Sequence, residues 1–168
     1  MADKKEHNGD DGREKILALI KDMHITMMAT NSPEGFMHAR PMGARLEEAS
    51  GDVWFFTTRS SAVISELRAD PRVLLSYADP KEQHYVSISG RGSVVDDKAK
   101  AKELWSEPMR TWFPKGVDDP DLILIRVEGE RGQYWDSPSS AVVYAYGYVK
   151  ARLTGERPDP GEEGKVKL

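Results

Sequence analysis

Apolar residues at Ile16, Leu19, Ile20 and Met23 are spaced i, i+3, i+4 and i+7, so the stretch from Arg13 to Met23 predicts an amphipathic helix. The period then drops to two. Segments 24–30, 36–46 and 52–58 alternate apolar and polar positions and are separated by Asn-Ser-Pro-Glu-Gly and Glu-Glu-Ala-Ser-Gly-Asp, which predicts three strands joined by tight turns. Residues 60–69 predict a short helix with a hydroxyl cap, ended by Pro71. Strands are expected at 72–78 and 84–95, the second long enough for Gly90 and Gly92 to mark a bend or bulge. Asp96 or Asp97 caps a helix running to about Trp105, and a Pro- and Gly-punctuated loop follows. Two further strands, Leu-Ile-Leu-Ile-Arg-Val-Glu-Gly-Glu and Arg-Gly-Gln-Tyr-Trp-Asp, complete the set. Ser137 and Pro138 open a last helix with Val142, Tyr146, Val149 and Leu153 on one face and Gly155 at its end.

This order predicts an α+β domain, a small antiparallel β-barrel with flanking helices, in a chain of 168 residues that fits one domain. The regular strand–helix alternation of a parallel sheet is absent, so a Rossmann-type dinucleotide domain is not expected. Gly90-Arg91-Gly92 lies inside a strand and reads as structural. Leu, Ile, Val and Phe make up roughly a fifth of the chain, near the level at which folding fails. The polarity is concentrated at the ends. Residues 1–12 are therefore expected to be a flexible tail, 13–155 the folded domain and 156–168 a polar tail.

A formal charge of −4 and a pI near 5.6 argue against non-specific nucleic-acid binding. With no Cys, disulfides, thiolate catalysis and Cys-ligated metals are excluded. No apolar run approaches a membrane span, and the start lacks the blocks of a signal peptide, so a cytoplasmic protein is expected. His24, His38 and His84 lie far apart at strand positions with no ligand spacing; they read as structural, and no metal site is expected.

Arg40 carries the clearest chemical signal, because period two puts it with His38 and Met42 on one face of a strand. A charge there needs an anionic partner. The next strand runs through Thr57, Thr58, Arg59, Ser60 and Ser61 straight into a helix, where hydroxyls, backbone N–H groups and the helix dipole can converge on a phosphate. The other reading stays open: Arg40 pairs with a carboxylate and the hydroxyls only cap. Trp54, Phe55 and Phe56 before this site, with Trp105, Trp112, Phe113, Tyr134 and Trp135 later, offer either stacking surfaces or core and interface.

The strings HARPM, DVWFFT, ELRADPRVLLSYAD, YVSISGRGSVVDD, WFPKGVDDPDLILIRV and YWDSP, in this order, resemble the general stress protein branch of the pyridoxamine 5′-phosphate oxidase-like flavin-binding split barrels. The resemblance spans about residues 13 to 168 and implies a split-barrel homodimer holding FMN, or FAD, at two interface sites. It implies that Arg40 approaches the flavin phosphate, Met42 lies beside the ring, Phe56 and Thr57 line it, and Ser61 belongs to the phosphate turn. Val63 stands where a lysine is common, and Arg59 is the candidate replacement cation. Trp112 and Trp135 are implied as contributions from the partner subunit. The resemblance implies that the true oxidases end in an arginine-bearing strand that grips pyridoxamine phosphate, whereas this chain is expected to end in a helix and Gly-Glu-Glu-Gly-Lys-Val-Lys-Leu, so oxidation of pyridoxamine phosphate is not expected. The expected function is flavin binding in stress physiology, either as an oxidoreductase on a small substrate or as a non-catalytic flavin or sensing module. A structural dimer with an empty pocket is the third reading.

Overall fold

The two periods become two kinds of element in the computed structural model, which describes residues 9–137, 148–153 and 161–168. Helix α1 (Gly9–Ile20) leads into strands β1 (Ile25–Asn31), β2 (Met37–Glu47) and β3 (Asp52–Thr58). Helix α2 (Ala62–Ala69), strands β4 (Arg72–Asp79) and β5 (His84–Val95) and helix α3 (Lys98–Leu104) follow. After a 3-10 turn at Glu107–Thr111 come strands β6 (Leu122–Asp136) and β7 (Glu162–Lys167). Residues 148–153 are helical.

All pairings are antiparallel in the order β3-β2-β1-β4-β5-β6-β7, and β3 also pairs with β6, which closes β1 to β6 into a barrel. This is the α+β barrel that the alternation implies. Inward-facing Met28, Phe55, Leu75, Val86 and Ile125 fill it, and α1 and α2 close the core with Ile16, Ile20, Val63, Ile64 and Leu67. On the opposite face of β3 and β6 a second cluster, Trp54, Phe56, Leu122 and Leu124, is covered by α3 and the loop after it. Phe56 meets Trp105 edge-on at 5.8 Å and tilts against Phe113 at 6.3 Å. Lys100, bonded to Glu47 at 2.6 Å, lies over the Trp54 ring and ties α3 to the barrel wall. The Lys100 hydrogen bond holds the Glu47 carboxyl down at about 2.

Several boundaries differ from expectation, each for a local reason. Helix α1 begins at Gly9, inside the stretch read as a flexible tail, with Asp10 and Asp11 in its first turn where the helix dipole favours them. The two late strands are one, β6, bent where the register shifts between Ser89 and Gly90 opposite Glu130. A side chain at Gly90 would collide with the Glu128 carbonyl, so glycine is required there. Asp97 caps α3 by accepting from the Lys100 N–H, as the acidic pair suggests, but the Ser61 hydroxyl makes no cap bond to α2. The segment 156–168, read as a polar tail, contains β7, which pairs with the second half of β6 and buries Val166. Most of the helix expected from Ser137 lies outside the described residues; within 148–153 its Val149 and Leu153 are exposed.

Candidate functional site

Arg40 sits on the inward-leaning side of β2, opposite Met28 on β1, and there it finds a carboxylate. Its guanidinium donates to Glu66 Oε2 at 2.7 Å and to Thr30 Oγ1 at 2.5 Å; Thr30 in turn donates to Glu66 at 2.6 Å. His38 Nδ1 meets the other carboxylate oxygen at 2.8 Å and donates to it while Glu66 is ionised. Glu66 is 2 % exposed. Burial pushes its carboxyl up, but the Thr30 and His38 hydrogen bonds and the Arg40 charge outweigh that and hold it below its ordinary value. Of the two readings of Arg40, the carboxylate pair is the one present. The sequence carried a sign of it: Glu66 is i+3 from Val63, on the buried face of α2.

The turn from β3 into α2 is also committed to internal contacts. Arg59 donates to Asp96 at 2.7 Å and to the Pro120 carbonyl at 2.8 Å. Thr57 is buried on β3, and Val63, where the resemblance has a lysine, is 2 % exposed in the core. Ser61 is half-buried with its hydroxyl free of a cap bond. The phosphate end of the implied site therefore holds positive charge already balanced by Glu66 and Asp96.

The ring end is different. A cavity of about 410 Å³ opens against the outer side of β2, lined by His24, Ile25, Pro41, Met42, Gly43, Arg45, Phe56, Pro108, Met109, Trp112 and Phe113. It brings together Met42, Phe56 and Trp112 from the sequence-derived set. Trp112, expected from a partner subunit, lines the cavity of its own chain. Trp135 is elsewhere, on β6 in register with Tyr85 and 39 % exposed. Arg45 is the residue that sequence reasoning missed. Its parity with Pro41 and Gly43 sets it on the face opposite Arg40.

The barrel is closed and antiparallel, and the cavity on its wall is lined mainly by apolar and aromatic residues. This chain belongs to the family described as pyridoxamine 5′-phosphate oxidase like, whose sequence model matches residues 11–159. It is similar to General stress protein 26 of Bacillus subtilis (strain 168), 25 % identical over 126 residues, 73 % of this chain and 87 % of that protein. Among solved structures, the general stress FMN/FAD binding protein of Xanthomonas citri is 32 % identical, with a TM-score of 0.68 over 78 % of this chain and 92 % of the other. A chain of general stress protein 26 type from Jannaschia sp. CCS1 reaches a TM-score of 0.77 at 24 % identity over 95 % and 99 %, which speaks to the fold. The family read from the sequence motifs is thus the family found. Among the described residues no helix is long and apolar enough to cross a membrane.

Proposed function

We propose that this chain is a cytoplasmic flavin-binding protein of the general stress type, taking the ring of FMN or FAD in the cavity between β2 and the loop after α3. The observation that carries the reading is that cavity, in which Phe56, Trp112 and Phe113 offer flat aromatic walls to a planar ring. Thr57 and Ser61 lie along the strand end and turn where the ring's side chain would leave. A bound flavin supplies electron transfer to a small substrate; the residues of this chain hold the ring, exclude water from it and leave it one open side. Because the positive charge of Arg40 and Arg59 is balanced internally, the phosphate adds little to affinity. FMN and riboflavin are expected to bind within about tenfold of each other, a difference of roughly 1.4 kcal/mol or less. Titration of the purified chain in the flavin absorption bands checks this. A preference for FMN of a hundredfold would show that the phosphate is read, and binding of neither flavin would overturn the proposal. Turnover of a reduced nicotinamide by the loaded protein separates the oxidoreductase from the non-catalytic module.

We further propose that the active species is a homodimer, formed through the outer face of β1 and β2. Ile25, Met27 and Ala29 pair across to Gly43, Pro41 and Ala39, and the neighbouring Phe36 and Met37 are 68 % and 67 % exposed, so an apolar sheet face stands in water. A second copy covers that face by twofold symmetry and brings its Trp135 toward the neighbouring cavity. Light scattering is expected to give the mass of two chains. Met27→Glu places a carboxylate in the contact and is expected to weaken dimerisation at least about tenfold. A wild-type chain that is monomeric at micromolar concentration would dismiss the dimer.

A further inference from the structure

Where the end of α1 meets β2 there is a second cavity, of about 170 Å³, which shares only His24 and Arg45 with the larger one. Its charge is unbalanced, because two fixed cations, Lys21 and Arg45, face a single carboxylate, Glu48. Glu48 pairs with Lys21 at 3.4 Å, and both side chains are mostly exposed, so that pair is weak. Arg45 is half-buried and donates to Ser106 Oγ at 2.7 Å, and among the described residues no carboxylate lies within ion-pair distance of it. One hydroxyl leaves most of the five donors of a guanidinium unused. The His24 side chain makes no hydrogen bond or ion pair among the described residues. Tyr77, 3 % exposed, is hydrogen-bonded to Thr26, and burial pushes its hydroxyl up, so it stays protonated and adds no negative charge. Lys21 follows the last residue of α1, where its charge offsets the carbonyl end of the helix dipole. Ile20, Met23 and Leu46 supply apolar wall around these groups. At this size the cavity holds a molecule of about six non-hydrogen atoms rather than a ring system.

We infer that this second cavity is a ligand site for a short-chain aliphatic carboxylate, with its carboxylate between Arg45, His24 and Lys21 and its alkyl chain against Ile20, Met23 and Leu46. The apolar wall favours such an acid over a purely polar anion, whose whole surface loses water on entry with nothing apolar to gain. This ligand is separate from the flavin ring, and its binding needs no flavin.

The probes are butyrate, its neutral isostere butyramide and inorganic phosphate, each titrated into the purified full-length chain and followed by backbone amide chemical shifts. Butyrate is expected to bind about tenfold to a hundredfold more tightly than butyramide, as a charge-assisted hydrogen bond implies, and more tightly than phosphate. Its shifts are expected at Met23, Ala44 and Leu46, with none at Phe56 or Trp112 of the larger cavity. Arg45→Gln keeps a donor for Ser106 but removes the charge, and it is expected to bring the butyrate-to-butyramide ratio close to one. Arg45→Lys keeps part of the preference. Glu48→Gln removes the only carboxylate of the lining at an exposed position, where folding is not at stake, and is expected to tighten butyrate by about twofold to fivefold, the range of an exposed ion pair. Arg68→Gln, on the exposed face of α2, leaves the ratio as it is in the wild type. Equal binding of butyrate and butyramide, phosphate binding as tight as butyrate, shifts confined to the larger cavity, a ratio that survives Arg45→Gln, or a Glu48→Gln variant that binds butyrate no better would each overturn the inference.

Discussion

Arg40→Ala is expected to cost about 3–5 kcal/mol of folding stability, because it strands the buried Glu66 carboxylate without its charge partner. Glu66 keeps Thr30 and His38 as hydrogen-bond partners, but the remaining negative charge sits among Val63, Ile64 and Leu67. A urea titration measures the loss. The double variant Arg40→Met with Glu66→Leu removes both charges at similar volume and is expected to regain most of it, since a buried ion pair is worth little more than well-packed apolar groups. The pH dependence has a definite sign. In the wild type the Glu66 carboxyl is held below its ordinary value, so its contribution is present above the unfolded pKa and is lost as pH falls through the folded one. In Arg40→Ala the charge and hydrogen bond of Arg40 no longer lower that pKa, so it rises relative to the wild type and the variant gains relative stability as the group protonates. The gap between the two proteins is therefore widest near neutrality and narrows in acid. A loss below about 1 kcal/mol, or a gap that does not narrow, would mean that Arg40 is held by something other than Glu66.

The barrel was legible because its strands obey period two wherever one face meets the core: Thr26, Met28 and Thr30 are buried while Ile25 and Met27 are exposed. What the sequence could not show was which distant side chains would meet. Arg40 and Glu66 are 26 positions apart, and only closure of β1, β2 and α2 around one corner makes them partners. The motif order pointed to a flavin phosphate at Arg40, whereas the pairing satisfies that charge internally and leaves the cavity on the other side of β2 to Arg45. The helix face carrying Glu66 and the strand parity carrying Arg45 were both readable, yet a charge on an apolar face gives no address for its partner. The single strand β6 was read as two because Gly129 and Gly132 flank its bend, and glycine inside a strand marks a bulge as readily as an end.

The C-terminal segment is the second place where a large effect is expected, because composition hid its role. Glu162 to Lys167 holds a single apolar residue, Val166, so it reads as a solvated tail; in the structure it completes the edge of β6 that β3 leaves open. Gly164 lies against the Tyr134 ring, and a side chain there would collide with it. Tyr134 is 1 % exposed, and its hydroxyl donates to Glu162 at 3.0 Å. Deleting 161–168 uncovers Tyr134, removes Val166 from the core and frees the N–H and C=O groups of half of β6. Burial of a valine side chain alone is worth about 1.5–3 kcal/mol, and the lost contacts of Tyr134 and Ile16 bring the expected cost to about 3 kcal/mol or more. Against a typical stability of roughly 5–15 kcal/mol, the truncated chain is expected to melt well below the full-length protein and to aggregate through its open strand edge. Val166→Glu tests the same packing with the backbone ladder intact and is expected to lower the urea midpoint as well. A truncated chain with an unchanged midpoint would show that the strand rests on the barrel without supporting it.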